Sequence, residues 1–261
     1  MSIQLQCLGG GKMGEAIVRG LLSSGWAQAG EILVVEALPA RREELRQIFP
    51  GLKVGENLES GIDVLLAIKP QDVKGALEAE VQIPRLLSIA AGVRIEVLQS
   101  LLQLECRVLR AMPNTPALLG VGMAGVAAGS GVSEDDLSWA KRILAAVGKV
   151  VVVEEELLDA VTGVSGSGPA YLFLVAEAMI AAGVEAGLEP EVADILTRQT
   201  LLGSAMLLAQ GEDPPEQLRE NVTSPGGTTA EALRVFEERG LLDIFREAIL
   251  AATERSKELG G

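Results

Sequence analysis

The chain has 261 residues, of which 48% are hydrophobic and 22% charged, and it carries a net charge of −14 with no histidine. A chain of this length and composition can bury a large core as one or two domains, and its acidic excess excludes nucleic acid and anionic membranes as partners. The absence of histidine removes the commonest general base and the commonest metal ligand. It therefore excludes serine-hydrolase and zinc-hydrolase chemistry, and we expect no metal site.

An apolar strand predicted at residues 3–8 is followed at once by a glycine-rich turn and a helical pattern. The turn has the form G-x-G-x-x-G in the strand–turn–helix setting of a dinucleotide site. Its glycines allow a tight turn, a close approach of the backbone to a pyrophosphate, and packing of the helix on the strand. The cofactor-binding residues predicted here are Gly9, Gly11, Lys12, Met13 and Gly14.

The second predicted strand, at residues 32–36, ends in Glu36, at about the spacing of an acidic residue that binds an adenosine ribose. A carboxylate at this position accepts hydrogen bonds from the ribose of NADH and repels the 2′-phosphate of NADPH. Arg41 and Arg42 lie close by and could pair with that phosphate. We therefore expect both dinucleotides to work.

Short apolar strands alternate with helical patterns up to about residue 153, which predicts a doubly wound, parallel α/β sheet. The remaining strands are predicted at residues 64–68, 86–90, 107–111, 123–128 and 150–153. The carboxyl ends of three of them carry loops rich in proline and glycine, at the edge where such sheets bind ligands. The cofactor-binding residues predicted at these strand ends and on their loops are Ala67, Lys69, Pro70, Ala90, Gly92 and Asn114.

A helix predicted at residues 134–147 begins with a Ser133/Asp136 cap. After residue 154 only helical patterns follow, so we predict a cofactor-binding domain at 1–154 and an all-helical domain at 155–261, with breaks that include 163–169. The helix at about 170–183 is apolar around most of its circumference, and a second copy of the chain would cover it.

We expect a soluble, cytoplasmic protein. The longest apolar stretch is interrupted by Glu177 and Glu185, so no run is expected to reach the length of a membrane span. No export signal is visible, and Cys7 and Cys106 suggest reduced, packed thiols.

The sequence from Ser224 to Thr229 predicts a site for a small carboxylate. Ser224 as N-cap and Pro225 at the first helical position would start a helix, with Gly226 and Gly227 leaving its first amides unshielded. Donors at the positive end of a helix suit an anion. The following threonine hydroxyls could contact a polar atom next to it, as an α-imino acid presents, although an ordinary capped helix explains the same residues.

Six motifs in order along the whole chain resemble pyrroline-5-carboxylate reductase. They begin at residues 9, 68, 88, 110, 163 and 222 and include Gly9-x-Gly11-x-Met13-Gly14 and the 224–229 turn. The resemblance implies NAD(P)H-dependent reduction of 1-pyrroline-5-carboxylate to L-proline, the last step of proline synthesis. It also implies an N-terminal Rossmann domain, a C-terminal helical dimerisation domain and a homodimer that can assemble further.

The resemblance assigns roles to individual residues. It implies that Ser224, Gly227 and Thr228 hold the substrate carboxylate and that Thr229 contacts the ring nitrogen as the catalytic residue. It places Glu212 in the substrate site of the partner subunit and Asn57 near the adenosine ribose. The family often prefers NADPH, whereas Glu36 predicts better use of NADH than is usual.

Two alternatives stay open from the sequence. A β-hydroxyacid dehydrogenase shares the domain order but uses a lysine of its second domain, and no lysine lies between Lys149 and Lys257. A non-catalytic NAD(P)-binding protein would keep the glycine turn but would not need the 224–229 turn.

Overall fold

The computed structural model describes residues 2–77, 81–102 and 106–260. Its eight strands form one sheet in the order β3-β2-β1-β4-β5-β6-β7-β8. The strands are β1 (Leu5–Leu8), β2 (Ile32–Val35), β3 (Lys53–Gly55), β4 (Val64–Leu66), β5 (Arg85–Ser88), β6 (Arg107–Pro113), β7 (Gly122–Ala128) and β8 (Gly148–Val152). The predicted α/β sheet is confirmed.

Neighbouring strands are parallel except β6 and β7, which pair antiparallel with Leu109 opposite Ala128. The predicted doubly wound parallel sheet is thus interrupted at this pair, because residues 114–121 are too few for the crossover that a parallel partner needs. Strand β3 was missed, since three residues with a single apolar side chain give no alternating pattern. The predicted strands also ran too long at residues 36, 67–68 and 89–90, where loops begin.

Buried apolar side chains cover both faces of the sheet. Leu5, Cys7 and Leu65 belong to one core cluster, and Leu8 and Leu66 to the other, as the alternation of side chains along a strand requires. The helices of this part are α1 (Lys12–Ser23), α2 (Pro39–Ile48), α3 (Val73–Leu77), α4 (Ile95–Leu101), α5 (Glu134–Ala145) and α6 (Leu158–Val161). Helix α5 begins with the predicted cap, in which the Asp136 amide donates to Ser133 Oγ at 3.2 Å.

The described residues after 154 contain helices and no strand. They form α7 (Gly168–Glu185), α8 (Pro190–Gln210), α9 (Pro215–Asn221), α10 (Thr228–Glu238) and α11 (Leu241–Gly260). At the predicted break, 163–169, the α-helix is interrupted between Val161 and Gly168, but Thr162–Gly166 forms a turn of π-helix and only Ser167 is non-helical before α7.

The chain divides into two compact units. Met1–Ser167 and Leu250–Gly261 form the sheet unit, and Gly168–Ile249 forms the helical unit. In the helical unit α7 packs along α8, and only Ala193 and Thr197 are buried in these two helices. The stretch Glu155–Glu185 is long and apolar enough to cross a membrane by length and composition, so the expectation that no run reaches that length was wrong. None of its most apolar window is buried within the single chain.

Candidate functional site

The glycine turn between β1 and α1 is packed so closely that two of its residues must be glycine. Gly9 has φ +108°, and a Cβ there would lie 2.5 Å from the carbonyl oxygen of Ala67. A Cβ on Gly14 would lie 2.2 Å from the carbonyl oxygen of Gly9. The turn therefore seats α1 directly on β1 and β4, as the motif predicts.

Gly11 differs from these two glycines because a Cβ on it would meet nothing within 4 Å. It is the N-cap of α1, and no side chain caps this end of the helix. The first-turn amides of Lys12, Met13 and Gly14 therefore have no acceptor within the helix. An open backbone beside the positive end of a helix fits the pyrophosphate of a dinucleotide.

The carboxylate of Glu36 lies against the same turn. Its Oε2 accepts a hydrogen bond from the amide of Gly10 at 2.9 Å, and its Oε1 accepts one from the amide of Leu38 at 2.9 Å. Sequence reasoning missed Gly10, the middle residue of three glycines, where a Cβ would lie 2.5 Å from Leu45 Cδ1 and 3.3 Å from Glu36 Oε2. The sequence signal for Gly10 was a glycine at a position where the G-x-G-x-x-G motif allows any residue.

Arg41 and Arg42 are both held by the protein. Arg42 Nη1 donates at 2.8 Å to the carbonyl oxygens of Glu36 and Ala37, and its Nη2 pairs with Glu56. Arg41 Nε donates to the carbonyl oxygen of Gly10 at 2.8 Å.

The Arg41 guanidinium also contacts carboxylates on two helices, Glu44 at 2.9 Å and Glu15. Partial burial opposes ionisation of Glu15, but hydrogen bonds from Arg41 and Arg19 outweigh it and lower the pKa of this carboxyl. Arg41 and Arg42 each donate three of their five guanidinium N–H groups to oxygens of the protein.

The other predicted cofactor residues follow successive strands at the carboxyl edge of the sheet. Ala67, Lys69 and Pro70 follow β4, Ala90 and Gly92 follow β5, Asn57 follows β3, and Asn114 follows β6. Because these strands are parallel, their ends meet at one edge. The sheet thus places all of these residues at the edge that also holds the glycine turn.

The Asn114 side chain uses both ends of its amide inside the protein. Its Nδ2 donates to the Ser165 carbonyl oxygen at 3.2 Å and to Ser165 Oγ at 3.1 Å, and its Oδ1 accepts from the Met123 amide at 2.9 Å. Ser165 was not among the predicted site residues. Asn114 therefore fixes the chain around Ser165 to the carboxyl edge of β6.

The 224–229 segment starts a helix, but later than predicted. Ser224 was expected as N-cap, whereas the N-cap is Gly227 and α10 begins at Thr228. The physical reason is a turn in which Pro225 and Gly226, with φ +70°, reverse the chain and the Gly227 amide donates to the Ser224 carbonyl oxygen at 3.0 Å.

This turn leaves the helix start open. No side chain caps α10, so the amides of Thr228, Thr229 and Ala230 lack an acceptor within the helix. A Cβ on Gly227 would lie 2.4 Å from Ser224 Oγ, so the missing side chain lets this hydroxyl lie over the backbone. The arrangement presents a hydroxyl and first-turn amides to an anion.

Glu212 lies exposed between α8 and α9. Among the described residues, no hydrogen bond or ion pair joins it to the 224–229 segment. The structure also gives no cluster of three or more cysteine and acidic residues that could hold a metal, within the described ranges.

Comparisons with known proteins agree with this geometry. Residues 155–259 match the model of pyrroline-5-carboxylate reductase dimerisation, and residues 4–92 match that of NADP oxidoreductase, coenzyme F420-dependent. A pyrroline-5-carboxylate reductase from Synechocystis is 44% identical, over 100% of this chain and 99% of its own length.

Two solved structures are similar over nearly the whole fold. A pyrroline-5-carboxylate reductase from Coxiella burnetii has a TM-score of 0.92 at 35% identity, with 99% of each chain covered. A pyrroline carboxylate reductase from Plasmodium falciparum with NADP bound has a TM-score of 0.82 at 29% identity, with 99% of this chain and 98% of that chain covered. The chain belongs to the pyrroline-5-carboxylate reductase family and is an NAD(P)H-dependent oxidoreductase.

Proposed function

We propose that this chain reduces 1-pyrroline-5-carboxylate to L-proline with the dinucleotide along the carboxyl edge of its sheet and the substrate carboxylate at the start of α10. The reaction follows from family membership over the full length of the chain. The single observation that carries the placement of the substrate is the uncapped start of α10 beside the Ser224 hydroxyl.

The substrate carboxylate is assigned to Ser224, Gly227 and Thr228. The Ser224 hydroxyl and the Thr228 amide donate to it, and Gly227 contributes the absence of a side chain. The Gly227 amide already donates to the Ser224 carbonyl oxygen, so Gly227 shapes the turn and does not donate to the substrate carboxylate.

Thr229 is the residue assigned to the ring nitrogen. The imine is basic enough to bind in its protonated form, so attack on its carbon depends on position and charge complementarity more than on a strong acid. The nicotinamide, when bound, supplies the hydride. Thr229 orients the nitrogen through its hydroxyl, and the proton already on the nitrogen stays there in the product amine.

The dinucleotide is assigned to the glycine turn, with Lys12, Met13, Glu36 and Asn57 toward its adenosine half. Both NADH and NADPH serve, and NADH is favoured by Glu36, whose carboxylate is anchored at the turn by two amides. Arg41 and Arg42 already donate hydrogen bonds to carbonyl and carboxylate oxygens of the protein. They are therefore less available to the 2′-phosphate of NADPH, which supports the preference for NADH.

The working protein is a homodimer in the cytoplasm, able to assemble further. The α7 side chains Leu172, Phe173 and Leu174 are 58%, 65% and 65% exposed in the single chain, and we assign their cover to a second copy and not to a membrane. Glu212 then acts in the partner's substrate site.

The test is a steady-state assay of imine-dependent oxidation of NADPH and NADH, with proline-dependent reduction of both oxidised cofactors as the reverse reaction. Turnover that requires the cyclic imine supports the proposal. Dinucleotide binding without turnover would identify a non-catalytic binding protein. Oxidation of a β-hydroxy acid in place of proline would identify the other dehydrogenase class.

A further inference from the structure

The C-terminal part of α11, which belongs to the sheet unit, is bound to α6 by a buried hydrogen bond. Ser256 is the one described residue of α11 that is buried, at 8% exposure, and its Oγ donates to Asp159 Oδ1 at 2.6 Å. Asp159 lies on α6 and is 7% exposed. A serine–carboxylate hydrogen bond in such a setting fixes both partners, because either one left alone would be buried without compensation.

The residues after Ser256 contact the loop between β5 and α4. A Cβ on Gly92, which has φ +76°, would lie 3.0 Å from the carbonyl oxygen of Leu259. A Cβ on Gly260 would lie 2.8 Å from the carbonyl oxygen of Gly92. Backbone therefore packs on backbone here. A methyl group on Gly260 would clash with Gly92, and one on Gly92 would be tightly packed and strained by the positive φ.

The same loop is held at its far end by a second contact. Glu155 Oε1 accepts hydrogen bonds from the Ile95 amide at 2.8 Å and from Arg110 Nη1 at 3.0 Å. Arg110 is only 6% exposed. Residues 89–94 thus connect the buried strand β5 to the start of α4, which Glu155 holds in place. The end of α11 contacts the middle of this loop, at Gly92.

The sheet order says which half of the cofactor this loop faces. Glu36 and Asn57 lie beyond β1 on the side of β2 and β3, whereas the loop follows β5, beyond β1 on the other side. A dinucleotide centred on the glycine turn extends to both sides of β1. With the adenosine at Glu36, the nicotinamide half lies toward β4, β5 and the loop.

We propose that the end of α11 is a clamp that positions the loop at 89–94 against the nicotinamide, with Ser256 and Gly260 as positioning residues. This rests on the proposed placement of the cofactor. Helix α11 spans Leu241–Gly260, and its residues from Leu250 onward belong to the sheet unit, as do Asp159 and the loop at 89–94.

The test compares Gly260→Ala and Ser256→Ala with matched controls. Gly30→Ala adds a methyl where nothing lies within 4 Å, and Ser100→Ala removes an exposed hydroxyl that donates to the Val97 carbonyl oxygen. Ser256→Thr keeps the hydroxyl and serves as the rescue variant. Steady-state kinetics give kcat and the KM of each substrate, and amide hydrogen exchange without cofactor reports the loop directly.

We expect Gly260→Ala and Ser256→Ala to lower kcat about three- to tenfold, since a small misplacement of a reacting group is costly, with the KM of the dinucleotide within about twofold. Exchange should become faster at residues 89–94 and stay unchanged in β1 and β2. The controls should behave like the wild type, and Ser256→Thr should recover most of kcat.

Wild-type kcat and wild-type exchange in both variants would overturn the clamp. Faster exchange throughout the sheet would also overturn it, because it would show loss of stability in place of positioning. If the wild type lacked reductase activity, the proposed function would fail, yet hydrogen exchange at 89–94 would still decide whether the end of α11 holds this loop.

Discussion

The two units differ in where they keep their apolar side chains. Among the described residues, every buried apolar side chain except Ala193 belongs to the sheet unit. The helical unit instead exposes large apolar residues along its helices, including Leu172, Phe173 and Leu174 on α7 and Leu202 and Leu207 on α8.

The difference follows from architecture. A sheet with helices on both faces encloses a core within one chain, whereas two long helices packed along each other bury only one stripe of each. We propose that a second chain covers the exposed stripes of α7 and α8. In a single chain without a second copy, the sheet unit should therefore be far more stable than the helical unit.

The largest expected effect comes from preventing dimerisation. Phe173→Arg places a charge on the exposed face of α7 and should give a monomer with activity reduced by more than about a hundredfold, because a charge buried without a partner costs several kcal/mol. Val97→Arg, on an exposed site of the sheet unit, is the control and should stay dimeric. Sedimentation velocity with parallel assays checks both, and an active Phe173→Arg monomer would contradict the dimer requirement.

A smaller effect is expected within the substrate turn. Thr229→Ala should lower kcat/KM about ten- to a hundredfold, the value of one hydrogen bond of about 1–3 kcal/mol, with little change in stability. Thr223→Ala is the matched control, since the Thr223 hydroxyl already donates to the Arg219 carbonyl oxygen at 2.6 Å. Unchanged kinetics in Thr229→Ala would remove this threonine from the mechanism.

How far the sequence predicts the structure also differs between the two units. The glycine turn, Glu36 and the loops at the sheet edge followed from local patterns, because strand periodicity and glycine spacing are local properties. The start of α10 was misplaced by three residues. Ser224-Pro225 reads as a helix start, and only the reversal at Gly226 shows that the chain turns first.

Contacts between residues distant in sequence could not be predicted. The bond between Ser256 and Asp159, and the approach of Gly260 to Gly92, join positions that no periodicity relates. The antiparallel β7 was missed for a different reason, since strand direction depends on the length of the connection at residues 114–121 and not on the strand itself. The predicted domain boundary after residue 154 stays a prediction, while 155–167 and 250–261 group with the sheet unit.

Cofactor choice tests a single contact in the sheet unit. Glu36→Ser should shift the ratio of kcat/KM values about tenfold toward NADPH, because a like-charge contact of about 1–2 kcal/mol with the 2′-phosphate is relieved. The control is Glu43→Ser, an exposed carboxylate on α2 that pairs with Arg46. Parallel assays with both cofactors measure the ratio, and a shift toward NADH would show that Glu36 does not face the ribose.

The smallest expected effect is a pH dependence that belongs to the core of the sheet unit. Burial, with a contribution from the Glu36 charge, raises the pKa of the Cys7 thiol from 9.0 to about 12. Since the folded pKa lies above the unfolded one, the stabilisation is complete below pH 9 and is lost as the pH rises toward 12. Between pH 8 and pH 9.5 the free energy of unfolding should fall by about 0.8 kcal/mol from this group.

Urea unfolding of the wild type and Cys7→Ala at both pH values isolates the contribution of the Cys7 thiol, because Cys106 titrates in both proteins and its contribution cancels. Cys7→Ala should be less stable at pH 8 but should lose less on going to pH 9.5, and an equal loss in the two proteins would show that the Cys7 thiol ionises as freely in the folded chain as in the unfolded one.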